Sequence, residues 1–196
     1  VSTMGTVAIA AQAMTATLEG FSSYASIGIG LGMMTIVGQC IGAGRIDEAR
    51  RYTKKLSLYG GLGILASCIA VAALIRPITI MGGMEPEAAE MTIQLTWLIC
   101  IVKPFLWTLS FMPAYGMRAA GDVRFSMLVA TATMWLCRVL VTILLVRLFA
   151  MGPLAVWLGM FSDWFVRSVI FSVRFRGDKW IHRRMTDAHA PEETPA

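Results

Sequence analysis

From Gly20 to Gly44 the chain carries no charged residue, and from Arg45 to Lys55 it carries seven. Such a boundary is where a long apolar helix leaves hydrocarbon and meets water. On both sides of it, apolar runs long enough to cross a ~30 Å hydrocarbon core recur. The first complete helix is expected from about Ala8 to Cys40, after Val1–Ala11, which reads as the end of an earlier helix and a short connection at Gly5. The second is Leu56–Ile75, uncharged throughout and closed by Arg76-Pro77. The third covers Ala88–Met112, with Lys103-Pro104 inside it, where proline removes a backbone hydrogen bond and bends the rod. Phe125–Leu148 forms the fourth, and the fifth runs from Pro153, a residue suited to a first helical turn, to about Val173.

The connections carry turn chemistry. Gly42 and Gly44 suit the positive φ that ends a helix, and Asp47 and Glu48 suit the first turn of the next, where the macrodipole is positive. Asp47 and Arg51 stand at i and i+4, the spacing of a surface ion pair. Met81–Glu87 is expected to be an outer loop, Gly116–Arg124 an inner turn and Ala150–Pro153 a tight outer turn. Gly28, Gly30 and Gly32 permit a bend or close helix packing in the first span. Ala188–Ala196 is a polar tail expected to be disordered.

Composition agrees with this pattern: of 196 residues, 57% are hydrophobic and only 15% charged, where a soluble domain carries about 25% charge. Mean hydropathy is +0.67. The fold class is therefore all-α, a polytopic transmembrane bundle. The net charge of +5 does not indicate nucleic acid, because the basic residues flank apolar runs and form no groove with interleaved aromatics. The three proposed inner segments hold five, two and five Lys or Arg, whereas the outer turns hold Arg76 and Arg147. That asymmetry puts the basic side and the C-terminus in the cytoplasm. Trp157 and Trp180 are expected in the two interfacial belts. The four cysteines, Cys40, Cys68, Cys100 and Cys137, form no CxxC pair and read as small buried hydrophobes. The chain opens on Val1 in mid-flow, without a basic leader, and is expected to be a piece of a longer protein.

Candidate chemistry is sparse. Glu19 is the only acid in the first span, about 30 Å from the inner end by helical rise, with no cationic partner on its own helix. An ionisable group there faces a cavity or a partner and can exchange a proton for a cationic ligand. Asp163 and Arg167, at i and i+4 in the fifth span, can pair, and Arg138 at similar depth on the fourth can share Asp163 as a structural clamp or a gate. Lys103 can reach carbonyls freed at Pro104 or snorkel to the inner face. Gly38–Arg45 superficially resembles a phosphate loop but lacks the Gly-Lys-Ser/Thr ending and a preceding strand. His182 and His189 both lie in the tail, so no Ser/His/Asp set exists. No metal cluster, organic cofactor or enzymatic centre is expected. Methionines such as Met33, Met34, Met112, Met117, Met127 and Met134 can line an adaptable cavity or simply fill membrane helices.

Gly38-Gln39-Cys40-Ile41-Gly42-Ala43-Gly44 with Asp47, Ala49 and Arg50 resembles a pattern of the multidrug and toxic compound extrusion (MATE) transporters. Gly116-Met117-Arg118-Ala119-Ala120-Gly121-Asp122 resembles the same family's Arg-Gly-x-Gly-Asp turn, with Ala119 in place of the first glycine. Trp135 with Arg138, Pro153-Leu154-Ala155-Val156-Trp157, Asp163, Arg167 and Gly177-Asp178-Lys179-Trp180 are similar to the ends of those proteins. The resemblance implies one lobe of a two-lobed transporter, residues 1–180, with 181–196 as a cytoplasmic tail. It implies exchange of drugs or organic cations against H⁺ or Na⁺ by alternating access across a prokaryotic inner membrane, with the missing N-terminal lobe and membrane lipid as partners. Within the same superfamily a lipid-linked sugar flippase is the alternative, and outside it a non-transporting membrane scaffold. The family's carboxylates on its seventh and tenth helices are not matched, since here only Glu87 and Glu90 stand at the third span's outer start. Glu19 is the expected substitute, with Tyr24, Gln94 and Trp97 lining the cavity and the Gly38–Arg45 and Arg118–Arg124 turns seating the lobe.

Overall fold

In a computed structural model the chain is described over residues 5–149, 153–177 and 180. Its elements are α1 (Thr6–Gly42), α2 (Ile46–Met81), α3 (Pro86–Ala119), α4 (Val123–Thr133), a π-helical segment (Met134–Leu140), α5 (Val141–Phe149) and α6 (Pro153–Arg176). With α4, the π segment and α5 forming one continuous rod, five rods are long and apolar enough to cross a membrane. The chain is a helical transmembrane bundle. At ~1.5 Å per residue, α1 to α3 are about 50–55 Å long and extend well beyond a hydrocarbon core.

The spans are longer than the apolar runs because amphipathic turns extend them. α2 begins at Ile46, with Asp47 and Glu48 in its first turn, rather than at Leu56, and it does not stop at Arg76-Pro77 but continues to Met81. α3 likewise passes through Pro104 and Pro113 to Ala119. Proline is tolerated in such rods because neighbouring groups re-satisfy the backbone it frees. The true stops are glycines in the left-handed region: Gly44 (φ 74°), Gly83 (φ 59°) and Gly121 (φ 87°). Each closes a Schellman motif; after Gly44, for example, Arg45 N–H donates to Cys40 C=O at 2.8 Å and Gly44 N–H to Ile41 C=O at 3.1 Å. Gly42, expected to share that role, remains helical. The ion pair in this turn is Arg45–Glu48 at 3.5 Å rather than Asp47–Arg51. The expected outer turn 150–152 and the tail 181–196 lie outside the described residues.

α3 is the central rod, packed against α1, α2, α4 and α6, while the π segment and α5 lean on α6. The buried face of α1 runs Ala8, Ala11, Thr15, Leu18, Ser22, Ser26, Gly30, Met33 and Val37, a seam spaced by three and four residues and rich in small and hydroxyl side chains. Such seams let backbones approach where lipid removes the hydrophobic drive between helices. Ser26 Oγ–H donates to Gly60 C=O of α2 at 2.5 Å. Between α3 and α6 an aromatic ladder fills the core: Trp107 stacks on Phe111 (4.6 Å, 20°) and Phe111 meets Trp164 edge-on at 6.4 Å. Trp157 and Trp180 are buried and not in lipid-facing belts. Trp157 Nε1–H donates to Gln12 Oε1 at 2.9 Å, and Trp180 Nε1–H to Phe175 C=O at 3.2 Å.

The basic turns share one end of the bundle. Asp122, in the α3–α4 turn and buried, accepts from Arg174 at the end of α6 (2.8 Å to Nη2, 3.0 Å to Nε), and that guanidinium lies 4.3 Å from the Phe125 ring centroid. Arg50 and Lys54 of α2 line a cleft of about 190 Å³ with Phe175 and Arg176 of α6 at the same end.

Two expectations follow. A Cβ at Gly159 of α6 would strike the Thr142 hydroxyl and come within 2.9 Å of the Arg138 carbonyl oxygen, whereas one at Gly28 meets nothing within 4 Å. Gly159→Ala should therefore cost about 1–3 kcal/mol through overpacking, while Gly28→Ala should leave the thermal midpoint in detergent unchanged or slightly raised. Asp122→Ala should cost about 1–3 kcal/mol, since the Arg174 guanidinium loses a charged acceptor. In a thermal-shift double-mutant cycle, Asp122→Ala with Arg174→Met should cost less than the sum of the single changes.

Candidate functional site

One turn of α1 supplies the chemistry. Glu19, Ser22 and Ser23 stand at i, i+3 and i+4, and so share one face of the helix. That face looks into the bundle at α3, where Lys103 has no exposed side-chain surface. Lys103 Nζ pairs with Glu19 Oε1 at 2.7 Å. It also donates to Ser22 Oγ at 2.6 Å, Ser23 Oγ at 2.7 Å and the Glu19 backbone carbonyl at 2.5 Å. The serine hydroxyls in turn donate to the Glu19 carbonyl, at 2.8 Å from Ser22 and 3.1 Å from Ser23, which leaves their lone pairs for the ammonium. The thiols of Cys68 on α2 and Cys100 on α3 face the same cluster.

Glu19 is thus not the unpartnered acid that its own helix suggests. Its partner is Lys103, which neither snorkels nor takes a carbonyl freed by Pro104; the carbonyl it binds belongs to Glu19 on α1. Burying an ammonium requires a counter-charge and full hydrogen bonding, and both come from this single turn. The Glu19 side chain keeps 21% exposure, whereas that of Lys103 keeps none.

The other expected cavity residues are not gathered here. Tyr24 is 64% exposed and packs edge-on against Phe21, and Trp97 is 50% exposed. Gln94 is exposed nine residues from Lys103, which puts it on the opposite side of α3. With Met91, Leu95, Leu98, Pro153 and Leu154 it lines a separate cleft of about 320 Å³ between α3 and α6.

Asp163 and Arg167 do pair, through Arg167 Nη2 at 2.9 and 3.0 Å to the two carboxylate oxygens. Arg167 also reaches Thr133 Oγ1 at 3.3 Å and the Ala130 carbonyl at 3.4 Å on α4, and it lies 5.1 Å from the Phe111 ring centroid on α3. Arg138 does not share Asp163; its side chain is exposed on the π segment, and the fourth rod meets the pair through Thr133 and Ala130, which accept from Arg167. In the turn motifs, Gln39 lines an open cleft of about 460 Å³ with Ile36, Cys40, Ala43, Arg45, Glu48 and Tyr52, while a Cβ added at Gly38 would meet nothing within 4 Å. Arg118 lies 5.8 Å from the Tyr115 ring centroid.

Sequence reasoning missed Ser22 and Ser23, although their i+3 and i+4 spacing from Glu19 was the available signal, and it missed the Asp122–Arg174 pair, which spacing along the chain could not reveal. Among the described residues no group of three or more His, Cys, Asp or Glu side chains could hold a metal ion.

Comparison with known proteins agrees with this architecture. The chain is 24% identical over 186 residues to an uncharacterized transporter, YisQ, of Bacillus subtilis (strain 168), covering 94% of this chain and 40% of that protein. It is 24% identical over 179 residues to a probable multidrug resistance protein, NorM, of Thermotoga maritima, covering 91% of this chain and 38% of that protein. The chain therefore spans about two fifths of the length of these curated relatives. No solved structure gives a significant match. The MatE family matches residues 1–144, most of the chain. This multi-pass membrane chain belongs to the MatE family.

Proposed function

We propose that the chain forms one lobe of a secondary active transporter that exports drugs or other organic cations in exchange for H⁺ or Na⁺ by alternating access. The observation that carries this reading is the Glu19–Lys103 pair. A charged cluster within membrane-spanning helices is costly, and such residues mark substrate and ion pathways. Here Glu19 is the partly exposed member of the pair, and on this reading its carboxylate meets a cation arriving at the lobe surface while Lys103 holds it in place. A cationic substrate and Lys103 would then compete for one carboxylate, which couples ligand binding to the α1–α3 contact. The flippase alternative requires free cations to meet pyrophosphate, and Lys103 is fully engaged with oxygens of α1. We place the basic end in the cytoplasm of a prokaryotic cell, following the positive-inside bias. A second lobe completes the cavity, and membrane lipid covers the exposed apolar faces. The Asp163–Arg167 pair serves as a structural clamp, and exposed Arg138 is left outside it.

The complete protein that contains this chain provides the test, as efflux of a fluorescent organic cation from cells, normalised to the amount in the membrane. Glu19→Gln should lower efflux at least tenfold. Because that change also strands a buried ammonium, at about 3–5 kcal/mol, the decisive variant is Glu19→Gln with Lys103→Met, which removes both charges at similar volume. Wild-type stability with efflux still lost is the expected result; wild-type efflux and ion dependence in the double variant would overturn the reading.

A further inference from the structure

Four oxygens surround one nitrogen in this cluster: Glu19 Oε1, the Glu19 carbonyl, Ser22 Oγ and Ser23 Oγ, all 2.5–2.7 Å from Lys103 Nζ. An ammonium has three N–H donors, so the shell offers one acceptor more than directional hydrogen bonding can use. A surplus of converging oxygens is a feature of a coordination shell around a hard cation, whose ligands gather without regard to N–H directions. The shell holds a single carboxylate, so one positive charge neutralises it. Divalent ions draw on six or more oxygens or keep several waters, and this turn of α1 supplies four oxygens. The thiols that interact with this cluster, Cys68 from α2 and Cys100 from α3, are soft and add no hard ligand.

We infer that Glu19, Ser22 and Ser23 constitute a monovalent-cation site whose resident occupant is the tethered ammonium of Lys103. The site is built by one turn of α1 and filled by one side chain of α3, so the lobe carries its own cation at this cluster. The inference rests on the exchange reading only for its consequence: Na⁺ is not the coupling ion at this cluster, and exchange here uses H⁺ or the cationic substrate itself. Removing the Lys103 side chain should uncover the site for a free monovalent cation.

The test is ion-dependent thermal stability of the complete protein, purified in detergent with N-methylglucamine as the bulk cation at fixed ionic strength. Wild type should show the same midpoint with added Na⁺, K⁺ or n-propylammonium. Lys103→Ala should gain a saturable rise of several degrees with Na⁺ or n-propylammonium, following the mass action of a ligand bound only by the folded state. The rise should vanish in Lys103→Ala combined with Glu19→Gln, and shrink in Lys103→Ala combined with Ser22→Ala and Ser23→Ala. Lys103→Met, which keeps the packing of the stem, repeats the comparison with Na⁺ if the alanine variant folds poorly. An ion-independent midpoint in the Lys103 variants, an equal rise in wild type, or failure of both variants to fold even with these cations present would overturn the inference. Each readout is equilibrium binding without transport, so an inactive transporter with a Na⁺-responsive Lys103→Ala variant would sink the exchange reading and leave the cation site standing.

Discussion

Placing an ammonium inside a bundle of membrane helices imposes a constraint that ordinary packing does not. Hydrophobic contacts tolerate a slipped register, because one apolar side chain replaces another at modest cost. Lys103 does not tolerate it, since all its oxygen partners lie on one turn of α1 and a charge left without them would be stranded in the interior. The pair therefore sets the height of α1 against α3. The Ser26–Gly60 hydrogen bond then ties α2 to the same seam about two turns away. The three long rods are aligned by polar contacts, and the apolar core fills in around an alignment already specified.

A second charged contact does the same on the other side of α3. Arg167 collects Asp163 from its own helix and Thr133 and Ala130 from α4, and it rests on Phe111 of α3. α6 is thus held to α3 and α4 by one guanidinium. The π segment follows directly after Thr133, and α6 approaches it at Gly159, where a side chain would have no room. A π-helical stretch adds a residue to a turn and rotates the face that follows. Arg138 lies within this segment, and its side chain is exposed there.

The large-scale architecture was legible because hydropathy and turn chemistry act locally. The number of spans, the basic end, the helix-opening role of Asp47 and Glu48, the Gly44 stop and the Asp163–Arg167 pair all follow from spacings of a few residues. Two kinds of error remained. Arg76-Pro77 read as a terminus because proline disfavours helix in isolation, yet α2 continues to a glycine that can take positive φ, and the prolines of α3 are passed in the same way. Glu19 read as solitary because its partner lies 84 residues along the chain, and only the packing of α1 on α3 joins them. The buried tryptophans belong with this second kind: Trp157 looked like an interfacial anchor until Gln12, far away in sequence, appeared as its acceptor.

These two clamps differ in what they leave open, and the difference bears on how the lobe works. The Asp163 and Arg167 side chains are only 2% and 10% exposed, so that contact is closed to ligands and suits a joint that stays fixed. At the Glu19–Lys103 contact the Lys103 side chain is sealed and the Glu19 side chain keeps a fifth of its surface. On the exchange reading we propose, that asymmetry within one ion pair, more than the presence of charge in the span, is what distinguishes this contact from one that only holds helices together.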